Sequence, residues 1–154
     1  MAEATLPGAA HPILKNDYAS EWMGIEVLKL GHGHPTIRMR LRQEMLNGFG
    51  MAHGGMIFAF ADSAFALACN PATPTASESH KITVASGVDI NFLKPAYEGQ
   101  VITAVANRRA HTGRSGLYDI QIYAADAELE LNDDETPGEL IAEFRGRSRT
   151  ISKK

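Results

Sequence analysis

The chain has 154 residues, 44% of them hydrophobic, which is the size of one ordinary domain with a single continuous core. Its 15 basic and 18 acidic residues leave a formal charge of -3. That balance excludes a cationic field able to draw the protein onto nucleic acid or anionic lipid, so an anionic ligand must be held by local groups. The lone cysteine, Cys69, cannot form an intrachain disulfide. This fits a reducing compartment and makes the residue a buried packing group.

No basic segment followed by an apolar stretch occurs between Met1 and Gly8, so no signal peptide is expected and the cytoplasm is the default location. From Pro12 to Met23, the residues Ile13, Leu14, Tyr18, Trp22 and Met23 fall near helical spacing and Gly24 supplies a stop. The spacing predicts a short amphipathic helix closing an N-terminal segment, 1–23, ahead of a core spanning 24–151. Gly24 to Leu30 reads as a strand, and Gly31-His32-Gly33-His34-Pro35 as the turn of a hairpin. Next, Ile37, Met39 and Leu41 alternate with Arg38, Arg40 and Arg42, a period of two that places the arginines on one wet face.

Asn47-Gly48-Phe49-Gly50 breaks that strand, and His53-Gly54-Gly55 leads into the most apolar run, Met56 to Cys69. The run is interrupted by Asp62 and Ser63 and is too short for a membrane span of about 20 residues. Lacking a polar face, it is expected as a helix surrounded by protein at the centre of the fold. Pro71 and Pro74 mark a loop, followed by strands at Thr83 to Phe92, Gln100 to Ala110 and Gly116 to Ala125. Asn132 to Gly138 is an acidic turn, and Glu139 to Ile151 a last strand before the exposed Lys153 and Lys154. This order predicts an α+β class in one domain, an antiparallel sheet wrapped around a central buried helix.

Within the apolar run the carboxylate of Asp62 is the only strongly polar group, and burying it ionised without partners is costly. Two readings stand open: a helix-edge acid bonded to backbone or arginine, or a general base or nucleophile. The approach to the helix bears on the choice. Gly54 and Gly55 carry no side chains, so their amides can come close to a ligand atom where the helix dipole is positive and stabilise a developing oxyanion. Gly54 and Asp62 are eight positions apart, which at helical rise is about 12 Å. One carbonyl cannot easily meet both. If both act on it, acid and amide come from different subunits.

Asn47 to Gly55, then Phe58-Ala-Phe-Ala-Asp62-Ser63-Ala64-Phe65-Ala66 and Asn70, resemble the signature of PaaI-type hotdog thioesterases. Asp89-Ile90-Asn91-Phe92-Leu93-Lys94-Pro95, Thr112-Gly113 before Tyr118-Asp119-Ile120, and Phe144-Arg145-Gly146-Arg147-Ser148 continue the likeness in the same order. The resemblance spans Asn47 to Ile151. It implies a hotdog fold that hydrolyses an acyl-CoA thioester, often aryl or arylacetyl, in a homodimer or a homotetramer. By the same resemblance Asp62 matches the catalytic carboxylate, Gly54 the oxyanion amide, Asn47 the side chain orienting nucleophile or water, and His53 the support of that loop. Related eukaryotic members carry a serine where this chain has Gly87, so that role does not transfer, and Ser63 and Ser86 are the neighbouring candidates. Direct attack by Asp62 and activation of a water both fit, with the water route preferred.

CoA carries phosphates, so Lys94, Arg109 and Arg114, which flank strand ends, are candidates for its nucleotide end, against a reading as plain surface charge. Gly55 and Ser63 complete the candidate binding set. His32, His34, His53, His80 and His111 form no recognised ligand spacing, and a thioester supplies its own electrophile, so neither metal nor cofactor is expected. Phe49, Phe58, Phe60 and Phe65 are read as plain core sooner than as an aromatic pocket. The rival functions are a non-catalytic acyl-CoA-binding module and a hydroxyacyl-CoA dehydratase.

Overall fold

The structure, a computed structural model, describes residues 11–127 and 137–153. The acidic stretch from Asn132 to residue 136 lies outside the described residues, as do the first ten residues and Lys154.

The helix expected from Pro12 to Met23 is split in two. Pro12–Leu14 forms a single 3-10 turn, capped by the His11 ring, and a separate helix α1 (Tyr18–Met23) starts at Asp17. The Asp17 carboxylate accepts from the Ser20 amide at 3.0 Å. An aspartate satisfies an orphan amide best at a helix N-cap, so it starts a new helix and does not continue the old one. Gly24 ends α1 with φ 73, a left-handed conformation that favours glycine.

All six expected strands form: β1 (Glu26–Lys29), β2 (Thr36–Arg40), β3 (Lys81–Phe92), β4 (Val101–Thr112), β5 (Ser115–Ala125) and β6 (Glu139–Ser152). They make one antiparallel sheet in the order β1-β2-β4-β5-β6-β3, and helix α2 (Gly54–Cys69) lies across it. Alternation decides the two faces. Along β5, Tyr118, Ile120, Ile122 and Ala124 are buried under α2, while Asp119 and Gln121 point to the opposite side. The opposing helix face carries Phe60, Ala61, Ala64, Phe65 and Ala68. The Phe65 ring packs against Tyr118 and Phe144 at centroid distances of 5.5 and 5.8 Å. Helix and sheet meet so closely there that a Cβ at Gly146 would lie 2.7 Å from the Phe65 ring.

Two expectations need correction. The arginines of the β2 segment do not form a uniformly wet face. Arg38 pairs with Glu26 at 3.2 Å and its side chain is 15% exposed. Arg42, beyond the end of the strand, donates to the carbonyls of Trp22 and Met23 and stacks 4.7 Å over the Trp22 ring. A guanidinium has enough donors to close two loose carbonyls at the end of α1 and still cover an indole face.

Nor do the described residues enclose α2 all round. Phe58 is 36% exposed, and Met56, Ala59 and Asp62 are only partly buried. Among the described residues, strand β3 ends the sheet and has a strand on one side only, and Ile82, Val84 and Phe92 are exposed. Among the described residues no helix is long and apolar enough to cross a membrane.

Candidate active site

The loop before α2 is built by hydrogen bonds that fix its backbone. Asn47 Oδ1 accepts from the amides of Phe49 (2.9 Å) and Met51 (3.2 Å), and the Asn47 amide donates to the Met51 carbonyl at 2.7 Å. The ends are tied down in turn, with the Ala52 amide on the Ala96 carbonyl and the His53 amide on the Met45 carbonyl, both at 2.8 Å. This is an Asx-type turn, which accounts for an asparagine before two glycines. With its oxygen so used, Asn47 keeps an NH2 group whose two donors have no partner among the described residues.

His53 is the N-cap of α2. Its Nδ1 accepts from the Gly55 amide at 3.0 Å, and its carbonyl accepts from the amides of Met56 and Ile57. Only the Gly54 amide in the first turn remains without a partner among the described residues. The two glycines, expected to act together, are therefore divided. Gly55 spends its donor on the cap, and Gly54 keeps a free donor at the positive end of the helix dipole. The Phe92 ring stands over Gly54, 3.3 Å from where a Cβ would be, and is itself half exposed.

Two turns further along the same helix is Asp62, about 12 Å from Gly54 by helical rise. Its carboxylate has no hydrogen bond or ion pair among the described residues, so the reading as an acid satisfied by arginine or backbone finds no partner here. Burial pushes its pKa up, and the nearby negative charge of Asp17 raises it further. Ser63 turns the other way. Its hydroxyl lies 2.8 Å from that of Ser20, which donates to Asp17 at 2.7 Å, so Ser63 spends its proton joining α2 to α1 and keeps only its lone pairs to accept.

The remaining candidates disperse. Lys94 pairs with Glu139 at 3.1 Å. Arg109 pairs with Asp119 at 2.7 Å, on the side of the sheet away from α2, where Arg145 shares the same carboxylate. Ser86 sits at a register shift in β3 with its hydroxyl on the Arg147 carbonyl. A Cβ at Gly87 would strike the Arg147 guanidinium, which crosses that position to reach Asp89 at 3.0 Å. Arg114 lines a cavity of about 590 Å3 at the C-terminal end of α2, whose walls include neither Asp62 nor Gly54. Phe60 and Phe65 are core, as expected, whereas Phe49 and Phe58 are exposed. Sequence reasoning missed Phe92, although an aromatic in the strand next to a glycine-led helix start is the available signal.

The arrangement offers one free amide where an oxyanion can form, an amide side chain close by in sequence, and a carboxylate with raised basicity on the same helix. Comparison with known proteins agrees. The Thioesterase superfamily sequence model matches residues 49–131. The chain is 34% identical over 142 residues to the acyl-coenzyme A thioesterase PaaI of Escherichia coli, covering 92% of this chain and 89% of that one. The solved structure of E. coli PaaI, from the phenylacetic acid degradation operon, superposes with a TM-score of 0.77 at 32% identity, over 96% of both chains. A mutant of the phenylacetic acid degradation protein PaaI of Thermus thermophilus superposes with a TM-score of 0.70 at 28% identity, over 86% of this chain and 98% of that one. The antiparallel sheet with a long helix laid across it is the hotdog fold, and the chain belongs to the thioesterase superfamily as a PaaI-type thioester hydrolase.

Proposed function

We propose that the protein hydrolyses acyl-CoA thioesters, with aryl or arylacetyl-CoA such as phenylacetyl- and hydroxyphenylacetyl-CoA as its first substrates, at sites shared between two copies of the chain. The observation that carries this reading is the pair formed by the Gly54 amide and the Asp62 carboxylate, eight residues apart on α2 and both without a partner among the described residues. The arylacetyl preference draws support from the PaaI relatives and from the exposed rings of Phe92, Phe49 and Phe58.

The thioester carbonyl oxygen takes the Gly54 N–H. A water held by the Asn47 amide group loses its proton to Asp62 and attacks the carbonyl carbon, and the oxyanion forms against the amide. Collapse breaks the C–S bond and releases CoA as the thiolate, which takes up the proton, leaving the free acid. No metal or redox partner enters these steps. His53 holds the loop through its bond to Gly55.

A separation of about 12 Å between Gly54 and Asp62 of one chain favours amide and acid from opposite subunits. The partly exposed flank of α2 and the edge strand β3, with Phe58, Ile82 and Val84 exposed, support pairing with a second copy through this apolar surface. Pairing of two such dimers into a homotetramer and a cytoplasmic location complete the reading. Thiol release from phenylacetyl, hydroxyphenylacetyl, benzoyl and short aliphatic CoA esters tests it. Turnover fastest with the arylacetyl esters supports the proposal. Preference for aliphatic esters overturns the substrate assignment, and binding without turnover overturns hydrolysis.

A further inference from the structure

The segment that precedes β1 is tied down at both ends. His11 Nε2 lies 2.9 Å from the Asn70 carbonyl at the C-terminal end of α2, and the Arg42 guanidinium closes the carbonyls of Trp22 and Met23. Between these anchors the buried Ser20 of α1 faces Ser63. Ser63 directly follows Asp62, so this contact lies beside the base of the proposed reaction.

The Ser20 hydroxyl has one proton and gives it to Asp17 Oδ2 at 2.7 Å, so the 2.8 Å contact with Ser63 is made by the Ser63 proton. A directed chain results, from Ser63 to Ser20 to Asp17, and it ends on a carboxylate that also accepts the Ser20 amide at 3.0 Å. Hydrogen bonds in series on an ionised acceptor reinforce one another and hold their members in one orientation.

Capping alone does not call for an aspartate at this position. Asn and Ser close a helix N-terminus about as well as Asp, and either would avoid setting a negative charge near Asp62. Among the described residues no cation forms an ion pair with Asp17. The other titratable side chains of α1, Tyr18 and Glu21, are exposed. Further along α2 the Cys69 thiol, pushed up to about 12, is uncharged, and the sheet presents Tyr118 to the helix, a hydroxyl that burial keeps protonated. The charge that Asp62 meets among the described residues is therefore that of Asp17.

We propose that Asp17 is a positioning residue for Asp62, acting from α1 through Ser20 and Ser63 to hold the turn of α2 that carries the base and to set a negative charge beside it. The role rests on the reading of Asp62 as general base. Burial and the Asp17 charge both raise the Asp62 pKa, which makes the ionised carboxylate a stronger base toward the attacking water. The competing account is that Asp17 only starts α1 and Ser63 only packs against it.

The test compares Asp17→Asn and Asp17→Ser, two neutral caps that keep the start of α1, with Ser63→Ala, which breaks the chain and leaves the charge. Thiol release from the fastest CoA ester is followed against pH, with melting of each full-length variant. Both Asp17 variants are expected to show kcat lower by about threefold, KM within about twofold of native, and an acid limb moved to lower pH, because removing a like charge lets Asp62 ionise more readily. Ser63→Ala should lower kcat with the limb in place. In an Asp62→Asn chain, adding Asp17→Asn should change the residual turnover no further, since the residue acts through that acid. Native kcat with an unmoved limb in the Asp17 variants, losses confined to melting temperature, native kcat in Ser63→Ala, or an undiminished Asp17 effect in the Asp62→Asn chain overturns the role. Native turnover in Asp62→Asn itself refutes the proposed reaction together with this role, whereas native Asp17 variants beside an inactive Asp62→Asn overturn this role alone.

Discussion

His53 Nδ1 accepts the Gly55 amide at 3.0 Å, and by doing so it separates two adjacent glycines into one structural donor and one donor without a partner among the described residues. His53→Ala removes that cap and is expected to cost about 1 kcal/mol in stability, with a fall in turnover as the first turn frays. His53→Asn, a strong cap, restores the melting temperature. Gly54→Ala places a methyl group 3.3 Å from the half-exposed Phe92 ring, which can give way, so the fold survives. Turnover is expected to drop more than about tenfold as the approach to the free amide is blocked. Urea melts and kcat/KM on the same samples check both. A Gly54→Ala enzyme with native turnover refutes the oxyanion assignment.

Asp62→Asn is expected to lower kcat by about 10²- to 10⁴-fold and yet to raise the melting temperature at neutral pH. Burial, reinforced by Asp17, raises the Asp62 pKa above 3.8, so the folded chain holds that proton more tightly than the unfolded chain. The resulting stabilisation is present at low pH and is lost as pH rises through the folded value, leaving an ionised group that costs stability. The gain from Asn therefore shrinks on acidification. Melting curves from pH 4 to 8 test the sign.

The same shift places the acid limb of kcat/KM above the ordinary carboxylate value of 3.8. Asp17→Asn keeps an N-cap for α1 and removes one of the two causes, so the limb is expected to move to lower pH. An unmoved limb would show that burial alone sets Asp62, or that Asp62 is not the base.

Mixing subunits separates shared from self-contained sites. Asp62→Asn and Gly54→Val chains, each inactive alone, are unfolded and refolded together. If each site takes Gly54 from one copy and Asp62 from the other, a mixed dimer holds one intact site and activity returns to about one quarter of native. No recovery in mixed dimers verified by mass places both residues in one chain's site.

Cys69 is expected to be inert. Burial pushes its thiol up to about 12, with a smaller contribution from the charge of Asp62. At pH 8 its thiolate is about 10³-fold scarcer than that of a free cysteine, so iodoacetamide should label it correspondingly slowly. Fast labelling of the folded chain would contradict the burial.

Several elements were legible from the chain alone because their signals are local. Six strands, the apolar helix with its lone, partly buried acid, and the glycine-led start of that helix all follow from periodicity, punctuation and the cost of burying a carboxylate. The helix spacing of Gly54 and Asp62 also needed no coordinates. Only the tertiary structure decided that Asp17 opens a separate helix, where its charge raises the Asp62 pKa, that Ser63 faces Ser20, and that Arg109 is held by Asp119 on the far side of the sheet. It alone placed Arg114 with Lys81 and Arg108 around a cavity. A hydrogen bond or ion pair between distant residues depends on which strands become neighbours, and the order β1-β2-β4-β5-β6-β3 is set by global packing, which no local pattern encodes.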